Sequence, residues 1–242
     1  MNKLFDNNIS LDRDNHIYQL KTNPKLNFTS VTTFISNFFE PFDAEKIAEI
    51  LTKSKNPKFY IYTKQELMDK WKKASDDGTI IHEELEKFIK SRTQPKEYKA
   101  KKGIRWLEEY LSNENIEFSK DNIFSEVIIY SEKLKISGTI DVLIKNKEDE
   151  YIILDWKTSE TINNKGGKRG IKKATQDKTY SKKNIYELQL SLYRYILEKY
   201  YGITVNAQYL IHLQEERAEK IDTLYYKDKI KEMLETITGK KK

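Results

Sequence analysis

Residues Ile136 to Thr158 read ISGTIDVLIKNKEDEYIILDWKT. Two apolar runs flank a charged turn, Lys145–Glu150, the pattern of strand, short polar loop and second strand. Side chains of a strand alternate between faces with period 2. In the second run Ile153, Asp155 and Lys157 therefore point one way, and Ile152, Leu154 and Trp156 the other. In the first run Asp141 lies between Ile140 and Val142, which are expected to face opposite to it. Two acids and a lysine thus occupy the most apolar part of a chain that is 34% charged. A carboxylate buried without a partner is costly, so something compensates it. One reading is a structural Asp–Lys pair with a hydrogen-bond network. The other is a hard divalent ion, Mg2+ or Mn2+, held by carboxylates of neighbouring strands. Such an ion takes a phosphodiester oxygen and lowers the pKa of a bound water. Lys157, roughly 6.6 Å along the same face from Asp155, could then orient that water or steady developing negative charge. The D-x-K spacing alone leaves both readings open.

The 242 residues suit one α/β domain. The absence of cysteine excludes disulfides, Cys-ligated zinc and iron–sulfur clusters. No apolar run approaches the roughly 20 residues of a membrane span. The opening MNKLFDNNIS has no apolar segment of a signal peptide, and Asp6 and Asp12 argue against a transit peptide. The expected setting is the cytoplasm of a bacterium or of an infected host cell. The formal charge of +6 is uneven: Ser159 to Asn184 hold seven lysines and Arg169 against Glu160 and Asp177, so the whole excess falls there. This glycine-bearing segment, 159–184, is expected to be a mobile basic loop. Lys165, Lys168, Arg169, Lys172 and Lys173 would meet an anionic polymer beside the site. No P-loop, HExxH or Ser/His/Asp arrangement is present, so no ATP-driven step is expected.

Along the chain, Asp12–Asn15 is a turn signal before a strand at His16–Leu20. Ser30 or Thr29 caps a helix over Phe28–Phe39, and a second helix spans Phe42–Leu51. Phe59, Tyr60 and Tyr62 form a small cluster or a stacking surface. Thr63-x-x-Glu66 is a capping box opening a further helix. Asp76-Asp77-Gly78 predicts a break or a new turn, then a helix to about Lys90 with Ile81, Leu85, Phe88 and Ile89 inward. His82 falls at the edge of that stripe. An amphipathic helix follows over Lys96–Leu111, then a strand over Ile123–Tyr130. Glu126 in that strand is another acid needing a partner, either a lysine or the metal and its water. Asn184–Tyr200 is a strong helix with Gln189 and Tyr193 on a neighbouring stripe. Val205–Leu213 reads as a strand parallel to the site strands. A last strand near Ile221–Tyr225 and a helix over Lys227–Ile237 close the chain.

GTID followed by LDWKT resembles the core of the PD-(D/E)XK nucleases, in the branch similar to the RecB nuclease domain. Gly78-Thr79-Ile80-Ile81-His82 resembles the family's helix motif that supplies a histidine to the metal. Gln189-Leu-Ser-Leu-Tyr193 resembles its Q-x-x-x-Y motif. Within the branch, Ser30-Val31-Thr32 and the lack of cysteine look most like the mitochondrial genome maintenance exonucleases and their phage relatives. The resemblance implies a restriction-endonuclease-like mixed central sheet flanked by helices. Residues 1–75 would form an N-terminal helical wall, and residues 76–239 the catalytic core. It implies a Mg2+- or Mn2+-dependent exonuclease acting on single-stranded DNA or DNA ends. His82, Asp141 and Asp155 would bind the metal, with the Trp156 carbonyl as an extra ligand, and Lys157 would position the water. Glu126 would assist, and Gln189, Tyr193 and Ser30 would touch the substrate strand. Replication or recombination proteins would be the partners. Two rivals stay open: a structure-selective endonuclease of repair or recombination, and a non-catalytic basic DNA-binding module.

Overall fold

The computed structural model describes residues 4–147, 150–164 and 166–239. The tip of the 145–150 turn, Lys165 and the Lys240–Lys242 tail, expected to fray, lie outside the described residues. The chain opens on a hairpin, β1 (Ile9–Asp12) and β2 (Ile17–Leu20), whose Ile9, Tyr18 and Leu20 pack with Tyr130. A two-residue strand β3 (Thr29–Ser30) leads into α1 (Val31–Ser36), capped by the Ser30 hydroxyl, which accepts from Thr33 N at 3.0 Å. The next helix, α2 (Ala44–Thr52), is capped by Asp43.

The capping box Thr63/Glu66 opens α3, which runs unbroken from Lys64 to Ser91. The break expected at Asp76–Gly78 does not occur. Gly78 is there for packing: a Cβ would lie 2.9 Å from Thr158 Oγ1, so glycine lets the helix pass against the end of the site strand. Then come α4 (Tyr98–Asn113), β4 (Ile123–Ser131), β5 (Ile136–Lys147) and β6 (Glu150–Lys157). A helix α5 (Lys182–Ile196) continues as a wider turn to Tyr201 and stops at Gly202, whose φ of 73° ends it without strain. The chain closes with β7 (Thr204–Leu213), β8 (Ala218–Asp222) and α6 (Lys227–Thr238).

β5 and β6 pair antiparallel, β6 and β7 parallel, and β7 and β8 antiparallel, so the sheet is mixed. Two apolar cores cover its faces. Ile153 and the site-side residues of α1, α5 and α6 form one; Ile152, Leu154, Trp156 and the inner faces of α3 and α4 form the other. The alternation read from IILDWK thus separates the two cores. The β6–β7 crossover through α5 makes a parallel pair, as the intervening helix demands.

The basic segment after β6 folds back on itself. Gly170 N donates to Lys178 O at 2.9 Å and Tyr180 N to Lys168 O at 2.8 Å, either side of an Arg169–Thr179 bridge. Thr175, fully buried, donates to the carbonyl of Phe38 at 3.1 Å.

β5 is the longest strand, and its two edges explain the site. One edge carries β4. The other is shared: β6 takes Val142 to Lys147, and β3 takes Ile136 and Ser137. Residues 138–141 between them have no ladder partner on that edge among the described residues. Gly138 sits at this opening, where a Cβ would lie 2.6 Å from Tyr193 Cε1 and 3.1 Å from Val31 Cγ2. Gly138→Ala is therefore expected to destabilise the protein by about 1–3 kcal/mol through overpacking. Chemical denaturation measures it; an unchanged midpoint would mean that Tyr193 moves freely.

Candidate metal and active site

Three acids meet in one row. By the register, Glu126 of β4 would face Asp141 of β5, which would face Asp155 of β6. Neither pair is in the ladders: β4–β5 pairing passes from Ser125–Val142 to Val127–Ile140, and β5–β6 pairing ends at Val142–Leu154. The three acids are neighbours in the register, and regular strand pairing is interrupted at their positions. Backbone strain marks the same point. Glu126 has φ of 54°, a left-handed conformation inside a strand. Such residues persist only where the surroundings hold them, and they cluster at functional sites. Side-chain alternation reverses there: Ile140 belongs to one core and Val142 to the other. The expectation that both face away from Asp141 is corrected accordingly.

Asp141 Oδ2 takes the place of a ladder carbonyl, accepting from Trp156 N at 2.8 Å. It also lies 3.5 Å from Nδ1 of His82, which α3 presents across Gly78. One ligand atom each from His82, Glu126 and Asp141 lies within 4.8 Å of the others, and all three residues are half-buried. One imidazole nitrogen and two carboxylate oxygens suit a hard or borderline divalent cation. The residues present therefore fit a metal. Asp155 is not in that group. It is 2% exposed, with Oδ2 2.5 Å from Lys157 Nζ and Oδ1 accepting from Gln189 Nε2 at 3.2 Å. Its charge still couples to Asp141 and His82.

Burial raises the pKa of Asp155, with Asp141 adding to the shift and Lys157 opposing it. Burial works against the Lys157 ammonium, but Asp155, Asp141 and Tyr186 outweigh it, so Lys157 stays cationic, its Nζ 4.5 Å from the Tyr186 ring centroid. Burial, then Asp141 and Glu86, push Glu126 up to about 8, against the pull of Arg13 and Lys90. The sign of its effect on stability follows. A carboxyl raised in the folded state keeps a proton that the unfolded chain releases, so metal-free stability falls as pH rises from about 4.5 to about 8. Glu126→Gln removes that loss. In EDTA it is expected to add about 1–3 kcal/mol at pH 8.5 and under about 0.5 kcal/mol at pH 5. Equal gains at both pH values in thermal melts would contradict it.

Gln189 and Tyr193, expected at the substrate, are 8% and 4% exposed. Gln189 Nε2 bridges Asp155 and the Tyr193 hydroxyl, each at 3.2 Å. Burial and the nearby Asp155 hold the Tyr193 phenol well above its usual pKa, so it stays neutral. Gln189 thus contacts the Asp155 carboxylate, and Tyr193 contacts Gln189. Ser30 spends its hydroxyl on the α1 cap and on Thr32 and Thr33. Lys168 reaches Glu40 at 2.6 Å, while Lys172 and Lys173 line a groove with Asp228, Glu232 and Glu235 of α6, away from the acids. Arg169 Nη1 donates to Gln176 O at 3.4 Å. The structure does not bring these four to the metal group.

His82, Glu126 and Asp141 line a cleft of about 590 Å3, walled by α3 and the β1–β2 hairpin. Arg13, at the hairpin turn, reaches Glu86 at 2.9 Å and Glu126 at 3.5 Å. Tyr18 and Thr139 hydroxyls bond at 3.0 Å, seating the hairpin on β5. Nothing local in the sequence points to the Arg13–Glu86 pair, whose members lie 73 positions apart. His212, 6% exposed, is tied to the carbonyl of Ser159 at 2.6 Å and serves the fold.

A family model described as the PD-(D/E)XK nuclease superfamily matches residues 98–240. Among solved structures, the chain is similar to the crystal structure of SSO0001, with 14% identity, 88% of this chain and 76% of that chain covered, and a TM-score of 0.36. It is also similar to a structure from Eubacterium rectale described as "Putative exonuclease", with 14% identity, 91% and 80% covered, and a TM-score of 0.40. No curated protein matches the chain. No helix among the described residues is long and apolar enough to cross a membrane.

Proposed function

The chain belongs to the PD-(D/E)XK nuclease superfamily, and from that premise we propose that it is a metal-dependent DNA exonuclease acting on single strands or strand ends. The observation that carries this reading is the convergence of Glu126, Asp141 and His82 where the regular strand pairing is interrupted, with Asp155 next in register. The nuclease chemistry rests on the family.

In this reading His82, Glu126 and Asp141 would hold a divalent cation, and Asp155 and the Trp156 carbonyl would be its further ligands. When bound, that ion polarises a phosphodiester oxygen and makes a water more acidic. Imidazole among the ligands favours Mn2+ over Mg2+. Asp141 keeps its aim because the Trp156 amide fixes one of its oxygens. Gln189 orients Asp155, and Tyr193 holds Gln189 in turn. Lys157, cationic and ion-paired to Asp155, would orient the attacking water and steady the charge that builds on the phosphate.

The test uses end-labelled linear single strands and a circular single strand with Mn2+, Mg2+ or EDTA. Loss of terminal nucleotides from the linear strand, an intact circle and silence in EDTA support the proposal. Cutting of the circle would make the protein an endonuclease. No cutting of either with Mn2+ would leave the basic binding module.

A further inference from the structure

A second cavity adjoins the metal cleft. The two share Ala74 and Ser75 of α3 and Thr158 at the end of β6. This second cavity holds about 620 Å3, well within the size of small-molecule sites. Its walls are aromatic: Phe42, Phe59, Tyr62 and Trp71, with Phe42 and Trp71 ring centroids 5.9 Å apart and tilted by 59°. Lysines stand among them. Lys70 Nζ lies 4.9 Å from the Tyr62 ring centroid and 3.1 Å from its hydroxyl, and Lys58 Nζ lies 5.9 Å from the Phe59 centroid. Lys182, at the start of α5, also lines it, and burial lowers its pKa against the pull of Glu160. Phe42 is 56% exposed although it is large and apolar. A third cavity shares Phe42 and Ile47 with this one and carries Lys168 and Tyr180.

Aromatic faces with cations between them match one ligand chemistry, a flat apolar ring joined to an anionic group. An unpaired nucleotide has both. A base still paired in a duplex shows only its edge and could not enter. We propose that the pocket around Trp71 and Phe42 stacks an unpaired base of the substrate strand beside the scissile phosphate, while Lys58, Lys70 and Lys182 meet its backbone. The inference rests on the nuclease reading above and deepens it by giving the single-strand preference a physical source. The three adjoining cavities mark the track of the strand, from the acids past Trp71 towards Lys168.

The test is anisotropy of fluorescein-labelled oligothymidylate and of a blunt duplex of equal length, in EDTA so that nothing is cut. Trp71→Ala is expected to weaken single-strand binding about tenfold and duplex binding by less than about twofold. The exposed Phe42→Ala should weaken it about threefold, and Trp71→Phe should restore most of the loss. With wild type, one abasic nucleotide moved along the oligomer should weaken binding at one position, and Trp71→Ala should flatten that profile. Unchanged affinity in both alanine variants, equal loss for strand and duplex, or a flat wild-type profile would each overturn the proposal. If Trp71→Ala fails to fold, Phe42→Ala and the wild-type scan decide. Hydrolysis by wild type with Mn2+ is measured alongside: its absence counts against the nuclease reading, while the EDTA binding data alone judge the pocket.

Discussion

Asp141→Asn is expected to lower phosphodiester hydrolysis at least about 1000-fold, leaving the fold and single-strand binding in EDTA intact. Asp141 links three elements: it faces Glu126 on β4, accepts from the Trp156 amide on β6 and approaches His82 on α3. Asparagine keeps an oxygen for the Trp156 amide, so the sheet opening survives. It removes the negative charge that Asp141 brings to the group with His82 and Glu126. Electrostatic support of several kcal/mol at the transition state corresponds to a rate loss of this size. Single-turnover kinetics at saturating Mn2+ measure it. A loss under about tenfold would mean that Asp141 serves the fold and that the chemistry lies elsewhere.

Lys157→Met carries the second large effect, this time on stability. Asp155 is almost wholly buried, and Lys157 is its ion-pair partner. Removing one member of a buried pair leaves an uncompensated charge and costs about 3–5 kcal/mol, a fall in Tm on the order of 10 °C for a chain of this length. The pH dependence has a definite sign. The folded-state pKa of Asp155 is raised above its unfolded value of 3.8 by burial, and loss of Lys157 raises it further. Stability then drops as pH rises from that unfolded value through the folded one. The deficit is therefore smallest near pH 4 and largest in neutral and alkaline solution. Pairing Lys157→Met with Asp155→Asn removes the buried charge and is expected to recover most of the stability and none of the hydrolysis. Recovery of both would show the pair to be structural, the alternative that D-x-K spacing leaves open.

Much of this arrangement was legible in the chain because it rests on short-range periodicity. The β5–β6 hairpin, the split of IILDWK between two cores, the capping box at Thr63 and the helix bearing Gln189 and Tyr193 all follow from patterns within about 15 residues. What escaped depends on distant partners or on backbone geometry. Gly78 reads as a helix breaker, yet it is tolerated inside α3 because Thr158, 80 positions later, needs the space. Glu126 reads as an acid in need of a partner, a lysine or the metal and its water; its left-handed backbone and its closeness to Asp141 and His82 are set by the packing of distant elements. Gln189 and Tyr193 are recognisable as a pair, but their burial against Asp155 and Gly138 is set by how α5 docks on the sheet opening. The basic segment is visible from composition; its fold-back through Thr175 onto the Phe38 carbonyl is not.

The proposed hydrolysis depends on a cation between His82, Glu126 and Asp141. Diffraction from crystals grown with Mn2+, recorded at the manganese absorption edge, tests this most directly. The expected result is an anomalous peak about 2.1–2.3 Å from a His82 ring nitrogen and from carboxylate oxygens of Glu126 and Asp141, lost in Asp141→Asn. Crystals with no peak there, His82 still facing Asp141 and Lys157 still paired to Asp155 would contradict it.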